Sequence, residues 1–598
     1  MFAQQAPEAG PVGPPDRRPQ SRIVPVTAAL FSMIIGLSDI LEVIIPGYHA
    51  RLRRIHAAGM VPGSMTAVTS TAVVITGLLL LMLSHALRRR KRRAWQAVIA
   101  LLTFNIVIHL MHGPHITVAV VSLVVLGALL YFNEHFYARG DPRTRWSALW
   151  AFGALAVMDV AIGLGYMLLA RGLARDYTIA QRLQAVVYGL FGFSGQVQFV
   201  PEYRNDLFDV LTSALGLVTL IITVYLFLRP AEPKARLRER DAARIRQLLA
   251  CHGERDSLGY FALRHDKSVV WSPTGKACVC YRVVSGVMLA SADPIGDPEA
   301  WPGAIHAFLD EAAEHAWVPA VMGCSELAAE IWCRETGLTA LELGDEAIVS
   351  VVDFSLSGRV MRNVRQMVSR VARNGYTAQV RRVGDIPRQE IECLIRQADS
   401  WRGTQTERGF SMALGRVGAL GDEDCVLATA TQGGVVRAMV HFAPWGGDGL
   451  SLDLMRRDKG SQPGLNDFLL VETIKAAPAL GVKRLSLNFA VFRAALERGE
   501  RIGAGPVLRA WRNLLLFASK WFQIESLYKF NAKFQPAWQP RFFVFPGTRY
   551  TPRVALAALE AEAFLVWPHL NPRHLARSLG LGKLKRRLRA RAGPRRAA

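Results

Sequence analysis

Six long apolar runs fill most of the first 230 residues, and they constrain the fold more than any other feature of the sequence. They cover residues 23–46, 66–87, 94–111, 116–132, 146–170 and 207–228. A helix of about 20 apolar residues crosses the hydrocarbon core of a bilayer, which is about 30 Å thick. We therefore predict six transmembrane helices in a membrane domain at 23–230, after a disordered, Pro-rich tail at 1–22. A further apolar stretch at 185–200 is interrupted by GFSGQ, and we predict that it is interfacial or re-entrant.

Two details of these runs leave alternatives open. The two shortest runs, 94–111 and 116–132, could be buried helices, but only HGPH separates them, which favours a tight hairpin between two spans. Asp39 and Glu42 lie near the end of the first run and share a helical face. Carboxylates inside a membrane are costly and indicate function. Hydration at the membrane interface is the simpler interpretation of this pair.

Basic residues between the runs predict the orientation in the membrane. The loop at 88–93 reads RRRKRR, and further basic clusters follow the fourth and sixth runs, whereas HGPH contains no Lys or Arg. Because basic loops remain in the cytoplasm, we place the N-terminus and everything after residue 230 on the cytoplasmic side of the cell membrane. Arg51, Arg53 and Arg54 are exceptions on the predicted outer side. We expect no cleavable signal peptide, because the first run is long and no cleavage-like site follows it.

The charge balance predicts partners that carry phosphates. Lys and Arg number 72 against 48 Asp and Glu, so the formal net charge is +24. Anionic lipid and nucleic acid both suit this charge. The basic tail at 571–598 is a candidate lipid or RNA contact, and a solubilising tail is the simpler alternative. The seven Cys include no C-x-x-C pair, and neither a disulfide framework nor a metal site is predicted.

Short strands alternate with amphipathic helices after a basic linker helix at 231–255. The first unit, 256–357, has predicted strands at 268–271, 277–283, 287–292, 318–323, 338–343 and 347–352 and helices at 300–315 and 327–336. The second unit, 358–570, has predicted helices at 360–374, 387–400 and 465–479 and strands at 426–431, 435–442, 450–455 and 484–489. A meander followed by a helix and a strand occurs in both units. This order predicts a tandem N-acetyltransferase-like α/β fold, with the active site in the second unit.

The turn after strand 450–455 argues against coenzyme A as the acyl donor. In this fold class the turn binds the phosphates of the carrier, and here it reads RRDKGSQPGLND. It lacks the usual fingerprint of Gln or Arg, two residues, Gly, one residue, and Gly or Ala. The nearest match, ERIGAG at 500–505, has Glu at the first position. We therefore expect no cofactor, and no P-loop, G-x-S-x-G or H-E-x-x-H element occurs.

Three separate blocks carry a resemblance to a known family. SLDLMRRDKGSQPGLNDFLLVETI, GVKRLSLNFAVFRAALERGERIGAGPV and ESLYKFNAKFQPAWQPRF occur in this order. Together they resemble the transferase domain of the lysylphosphatidylglycerol synthases, the multiple peptide resistance factor family. The resemblance covers about 240–570 and is greatest to the form that elsewhere is fused to a lysyl-tRNA synthetase.

The resemblance implies a reaction and its partners. An aminoacyl group, typically lysyl, passes from aminoacyl-tRNA to the glycerol hydroxyl of phosphatidylglycerol, which mainly requires positioning and deprotonation of a hydroxyl. The cationic lipid that results lowers the attraction of antimicrobial peptides to the membrane. Because the sequence contains no synthetase module, we expect a separate cytoplasmic synthetase to supply charged tRNA.

The resemblance also implies site residues. Asp453 and Arg456 match the family's D-L-M-R motif, with Asp453 holding an ammonium and Arg456 a phosphate or the ester carbonyl. In a regular strand these two side chains would lie on opposite faces, unless the strand ends or bulges. Lys533 matches the Lys of a K-F-x-P-x-W block and is predicted to stabilise an oxyanion or bind phosphate. Without the resemblance, an exposed ion pair at a strand end and a surface Lys are the simpler interpretations.

The remaining candidates rest on weaker patterns. Glu407, before GFSMALGRV, is a candidate general base or a second carboxylate for the lysyl side chain. The other predicted substrate-binding residues are Arg457, Lys459, Asn488 and Lys529. A solvated loop carboxylate and a satisfied strand-end amide are the alternatives for Glu407 and Asn488.

Two other functions remain open at this point. A degenerate transferase domain could bind anionic lipid without catalysis, although intact Asp453, Arg456 and Lys533 argue against it. The chemistry could also be retained with another amino acid, such as alanine, because one carboxylate suits any α-ammonium.

Overall fold

A computed structural model describes most of the membrane-type region and the α/β region. The described residues are 23–44, 63–111, 116–138, 142–169, 173–193, 197–200, 203–228, 233, 235–402, 409–491 and 524–565. The predicted tails at 1–22 and 571–598, the ERIGAG segment and Glu407 lie outside these residues.

All six apolar runs are helical. The helices of this region are α1 (Ile23–Ile44), α2 (Gly63–Arg88), α3 (Arg92–Met111), α4 (Ile116–Tyr131), α5 (Pro142–Leu169), α6 (Ile179–Leu190) and α7 (Tyr203–Leu228). Within the described residues, three stretches are long and apolar enough to cross a membrane, namely Ile23–Leu41, Ala148–Leu168 and Tyr203–Phe227. Val73–Arg88 and Val118–Tyr131 are shorter apolar helical stretches. That all six runs cross the membrane remains a prediction.

The seventh apolar stretch folds differently from its predicted bounds. Helix α6 begins at Ile179, where Thr178 and Gln181 form a capping box, and ends at Leu190 before GFSGQ. The described residues after it, 191–193 and 197–200, are not helical, and Leu173 and Phe199 form an isolated antiparallel bridge. The helix therefore starts earlier than the apolar run. Its first turn is polar, so the capping residues, and not hydropathy, indicate where it begins.

Asp39 is buried among helices rather than hydrated. Its side chain is fully buried, and the Asn105 amide donates to its Oδ2 at 2.6 Å. The hydroxyl of Ser122 donates to Oδ1 of Asn105 at 3.4 Å. This network joins α1, α3 and α4 and corrects the interfacial interpretation for Asp39, because an amide on a neighbouring helix is the partner of its carboxylate. The side chain of Glu42 lies outside the described part of the chain.

The second half of the chain forms an α/β region with eight helices and twelve strands among the described residues. The helices are α8 (Glu239–His252), α9 (Trp301–Glu314), α10 (Glu326–Thr336), α11 (Arg362–Arg373), α12 (Arg388–Trp401), α13 (Leu465–Ala476), α14 (Ile524–Ala532) and α15 (Thr551–Ala561). The strands are β1 (Ser268–Trp271), β2 (Ala277–Val284), β3 (Val287–Ser291), β4 (Ile295–Gly296), β5 (Val318–Cys324), β6 (Thr339–Ser350), β7 (Tyr376–Arg382), β8 (Val426–Gln432), β9 (Val435–Trp445), β10 (Gly449–Arg457), β11 (Arg484–Val491) and β12 (Ala537–Phe545).

The twelve strands form one continuous sheet. Its order is β1-β2-β3-β5-β12-β6-β11-β10-β9-β8-β7, with β4 paired to β2. The last strand of each predicted unit lies beside a strand of the other unit, since β12 pairs with β5 and β6 pairs with β11. The fold class is confirmed as membrane-type helices followed by an α/β region that repeats one order of elements. The exchange of last strands was not predicted.

Two sequence-based assignments were wrong at the centre of this sheet. The strands predicted at 338–343 and 347–352 are one strand, β6, whose polar residues Asp345 and Glu346 lie in the middle. Strand β12 was missed because Gln539 and Pro540 interrupt its apolar pattern. Both strands are central because β12 lies between β5 and β6.

Hydrophobic clusters cover both faces of the second half of the sheet. On one face, α11 and α13 pack Val368 and Leu469 against Phe442 and Leu452. On the other face, residues of α8 and α12 and Leu414 pack with Met439. The candidate site lies on the second face.

Candidate active site

A β-bulge places Asp453 and Arg456 on the same face of the sheet. Leu452 lies opposite Phe442 and Leu454 opposite His441, so Asp453 is an extra residue in β10. Arg456 lies opposite Met439, which is two residues from His441 and shares its face. The strand continues to Arg457. Of the two alternatives, an early strand end or a bulge, the structure therefore has the bulge, and this bulge brings both side chains to one face.

The side chain of Asp453 is buried and is bonded through both carboxylate oxygens. The backbone N–H of Leu414 donates to Oδ1 at 2.6 Å, and Nδ1 of His441 lies 2.7 Å from Oδ2. The Asp453 side chain is 3% exposed and that of His441 is 0% exposed. Asp453 is therefore not the exposed strand-end group of the simpler interpretation.

His441 was missed by the sequence analysis. A carboxylate only accepts hydrogen bonds, so Nδ1 of His441 carries the proton that Asp453 accepts. Nε2 is buried without a hydrogen-bond partner in the described part of the chain. The predicted hairpin between strands 435–442 and 450–455 contained the signal, because regular pairing back from its turn sets Asp453 opposite His441.

Asn488 joins this cluster through a strained backbone position. Its φ is +65°, a left-handed conformation that Asn tolerates better than most residues. Its amide nitrogen donates to the carbonyl oxygen of Leu452, next to the bulge, and lies 3.4 Å from that of Met412. Its Oδ1 is buried with no hydrogen-bond partner among the residues described. Strain of this kind is concentrated at functional sites.

The segment from Gly409 to Leu414 is fixed over the cluster by charged side chains. Glu562 accepts hydrogen bonds from the backbone of Phe410 at 2.7 Å and of Ser411 at 3.0 Å. Arg264 donates to the carbonyl oxygens of Gly409 and Ala413. These contacts hold the start of the predicted GFS motif, and Glu407 just before it lies outside the described residues.

The predicted cations lie around β10 and α13. Nζ of Lys533 forms an ion pair of 2.9 Å with Asp467 in the first turn of α13. Lys533 is 41% exposed at its side chain, so it remains accessible to a ligand. Arg456 and Arg457 are half-buried, while Lys459 and Lys529 are exposed. The structure thus brings Asp453 and Asn488 together with His441, and it ties Lys533 to α13.

A second buried polar centre lies where the two units exchange strands. Arg541 on β12 forms ion pairs with Asp256 at 2.8 Å and with Glu346 on β6. Ser486 on β11 donates to Glu346 and accepts from the backbone N–H of Asn488 at 3.1 Å. This chain of contacts connects the centre of the sheet to the candidate site.

Two titratable groups near these centres have shifted pKa values. Burial, together with the neighbouring Asp256 carboxylate, raises the pKa of Asp293 to about 7. Burial lowers the pKa of Lys267 to about 8. Nζ of Lys267 donates to Ser291 at 2.6 Å and lies 4.7 Å from the centre of the Phe410 ring. Lys267 therefore contacts the Gly409–Leu414 segment through the ring of Phe410.

The fold and the site define a class of protein: an acyltransferase-type α/β domain that follows apolar helices. The family profile described as phosphatidylglycerol lysyltransferase, C-terminal, matches residues 246–545. The chain belongs to this family, which confirms the resemblance found in the sequence.

Curated relatives are similar over most of this chain. Lysylphosphatidylglycerol biosynthesis bifunctional protein LysX of Rhodococcus opacus is 41% identical over 503 residues, covering 83% of this chain and 45% of the relative. The LysX protein of Mycobacterium tuberculosis is 43% identical over 506 residues, covering 82% and 42%. This chain therefore spans less than half the length of these relatives.

Two solved structures are similar to about half of this chain. The C-terminal domain of a putative lysylphosphatidylglycerol synthetase from Agrobacterium fabrum is 24% identical with a TM-score of 0.44, covering 54% of this chain and 96% of that chain. The L-PGS structure from Bacillus licheniformis is 21% identical with a TM-score of 0.46 and the same coverages.

Proposed function

We propose that this chain transfers an aminoacyl group, most simply lysyl, from aminoacyl-tRNA to a glycerol hydroxyl of phosphatidylglycerol at the inner face of the cell membrane. Family membership, helices apolar enough to span a bilayer and the excess of basic residues support this proposal. The observation that carries it is the bulge that sets Asp453 and Arg456 on one face, beside Asn488 and His441.

The reaction exchanges one ester for another. The bond between the aminoacyl carbonyl carbon and the ribose oxygen of tRNA breaks, and that carbon forms a bond to the glycerol oxygen. The proton of the glycerol hydroxyl ends on the ribose oxygen. No oxidant or metal is required by this balance, and the protein has to orient the aminoacyl ester and the glycerol hydroxyl and stabilise the transient oxyanion.

The described residues suit these tasks. Asp453 uses one lone pair of each oxygen for Leu414 and His441, and its remaining lone pairs accept from the α-ammonium. Oδ1 of Asn488 is a second buried acceptor for the same group. Arg456 holds a phosphate or the ester carbonyl, and Lys533 stabilises the oxyanion.

Three predicted cations and one carboxylate complete the proposal. Arg457, Lys459 and Lys529 contact phosphates of the two substrates. Glu407 is the proposed general base. A separate synthetase supplies the charged tRNA, and the cationic product lowers the affinity of the membrane for cationic antimicrobial peptides.

The test is the lipid profile of cells that express the full chain or its Asp453→Asn variant. We expect a lysyl-phosphatidylglycerol species that falls at least about 100-fold in the variant, because the isosteric amide removes the charge that orients the ammonium. The variant must be present in membranes at the level of the unmodified chain.

Other lipid profiles would revise the proposal in defined ways. A different aminoacyl lipid would retain the reaction and replace the donor. Absence of any new lipid, with folded protein and charged tRNA present, would favour a protein that binds anionic lipid without catalysis.

A further inference from the structure

Helix α11 carries an unusual concentration of arginine. Between Asp353 and Asp385 the sequence contains seven Arg and no acidic residue or Lys. Val364, Val368 and Val371 of α11 are buried against the sheet. Four exposed Arg residues of this helix and one exposed Arg just before it form a surface that we call the arginine face. It comprises Arg359, Arg362, Arg365, Arg370 and Arg373.

Helical geometry places these residues on one side. At about 100° per residue, Arg362, Arg365, Arg370 and Arg373 fall within about 140° of each other, opposite the buried valines. No member forms an ion pair with an Asp or Glu of the described chain, in contrast to Arg381 and Arg382 on β7, which pair with Glu390 and Asp424. The charge of the arginine face is therefore not neutralised within the described fold.

Part of this charge opposes the stability of its own helix: Arg370 and Arg373 lie in the last turn, where cations are favourable, but Arg362 and Arg365 lie near the N-terminus. The N-terminus of a helix carries a partial positive charge and favours acidic side chains. The first turn of α11 contains no acidic residue. It begins with Arg362, Arg365 follows one turn later, and Met361 before it provides no side-chain cap. A sequence that breaks a local rule in this way indicates a function for the residues concerned.

The chemistry of the face favours RNA over a membrane. Helices that lie on membranes insert Trp, Phe or Leu side chains, but the apolar side of α11 is already buried in the core. Between the Arg residues the helix presents Asn363, Gln366 and Ser369, which are polar. Arg also binds phosphate with two parallel hydrogen bonds, whereas Lys binds it as a point charge. A phosphodiester backbone fits such a face.

The arginine face belongs to a helix that contacts the candidate site. A Cβ on Gly464, at the start of α13, would lie 2.2 Å from Cγ of Met367 on α11, so the two helices are in direct contact. The hydroxyl of Tyr376, just after α11, lies 3.4 Å from the backbone nitrogen of Gln462. Both contacts involve the turn that connects β10, with Asp453 and Arg456, to α13.

We propose that the arginine face binds the phosphate backbone of the tRNA donor while the acceptor end enters the site beside β10. This inference rests on the proposed function. It adds a second contact region to the same reaction, at residues that no part of the chemistry uses.

The test compares three variants of the full chain in detergent micelles, with an uncharged tRNA transcript as the probe. The first variant is Arg362→Gln, Arg370→Gln and Arg373→Gln together. The matched control, Arg334→Gln, Arg388→Gln and Arg396→Gln, removes the same charge from exposed positions on α10 and α12. The third variant replaces the first three residues by Lys.

We expect the first variant to bind tRNA at least about 10-fold more weakly at 0.15 M salt, because it loses contacts to phosphates. Each phosphate contact contributes about 0.9 to the slope of log affinity against log salt concentration, so the binding of this variant should also depend less on salt. The control should bind like the unmodified chain, and the Lys variant should lie between. In the transfer reaction, KM for aminoacyl-tRNA should rise while kcat is retained, and the thermal midpoint should be unchanged.

Equal tRNA binding by the first variant and the control would overturn the inference, whatever the activity. If that variant instead lost the rise in thermal midpoint that added phosphatidylglycerol causes, the face would be a lipid contact. The outcome is separable from the proposed function: a chain that binds tRNA through this face but forms no aminoacyl lipid would retain the inference and reject the reaction.

Discussion

At the scale of single residues, the bulge in β10 decides the chemistry of the candidate site. Without it, Asp453 and Leu454 could not both lie beside His441, and Arg456 would point to the other face. The cluster also leaves Nε2 of His441 and Oδ1 of Asn488 as buried acceptors without partners among the described residues. Buried acceptors of this kind are costly to leave unbonded, which is consistent with a site that receives a donor group from a ligand.

The contact between His441 and Asp453 can be tested with two amide variants. The side-chain nitrogen of Asn occupies the position of Nδ1, whereas that of Gln occupies the position of Nε2. If His441 positions Asp453 through Nδ1, His441→Asn should retain activity within a few-fold and His441→Gln should lose about 10- to 100-fold in kcat/KM. Steady-state rates of aminoacyl-lipid formation would measure this difference.

Thermal midpoints provide the control for this pair. Both variants shrink a fully buried side chain, so both should lower the midpoint. The opposite ranking, with Gln active and Asn inactive, would show that Nε2 rather than the bond to Asp453 matters.

At the scale of secondary-structure elements, the membrane-type helices are joined by close backbone contact. A Cβ on Gly36 of α1 would lie 2.5 Å from the carbonyl oxygen of Gly77 on α2, and a Cβ on Gly77 would lie 2.6 Å from that of Gly36. Small residues at such crossings let helices approach in the absence of a hydrophobic driving force. The buried bond between Asp39 and Asn105 adds a polar contact to the same group of helices.

Two Gly→Ala variants separate helix packing from helix propensity. Gly36→Ala should destabilise the protein by about 1–3 kcal/mol, because the methyl group has no space beside α2. Gly127→Ala in α4 meets no atom within 4 Å, so it should be neutral or stabilising by up to about 1 kcal/mol. Thermal unfolding of the full chain in micelles would compare them. Equal midpoints for the two variants would contradict the close crossing of α1 and α2.

At the scale of the whole molecule, the exchange of strands makes the two α/β units one sheet. Arg541 of β12 is 4% exposed at its side chain and lies between Asp256 and Glu346 of the first unit. Burying three charges is favourable only when they compensate each other. The second unit therefore supplies the cation that two carboxylates of the first unit require.

Loss of this cation should destabilise both units together. Arg541→Leu leaves two buried carboxylates without their partner, and we expect about 3–5 kcal/mol lower stability. Hydrogen exchange should increase in β1–β3 and in β8–β10 by the same factor, because the continuous sheet opens as a unit. The double variant Arg541→Leu with Glu346→Leu should recover part of the loss. Increased exchange confined to one unit would show that the units unfold independently.

Sequence alone determined the features that depend on local pattern. The six apolar runs predicted six of the seven helices of the first 230 residues, alternating patterns predicted most strands within a few residues, and the family resemblance supplied the candidates Asp453, Arg456 and Asn488. These features follow from periods of 3.6 and 2 residues and from nearest neighbours along the chain.

Only the tertiary structure decided the contacts between distant segments. The burial of Asp39 and the insertion of β12 beside β5 depend on residues far apart in sequence, and the bulge at Asp453 depends on how the hairpin of β9 and β10 packs. Such contacts arise from packing and from the pairing of buried polar groups, which no local pattern specifies. The sequence could therefore name candidates for the site, without His441, whereas the sheet determined which side chains face each other.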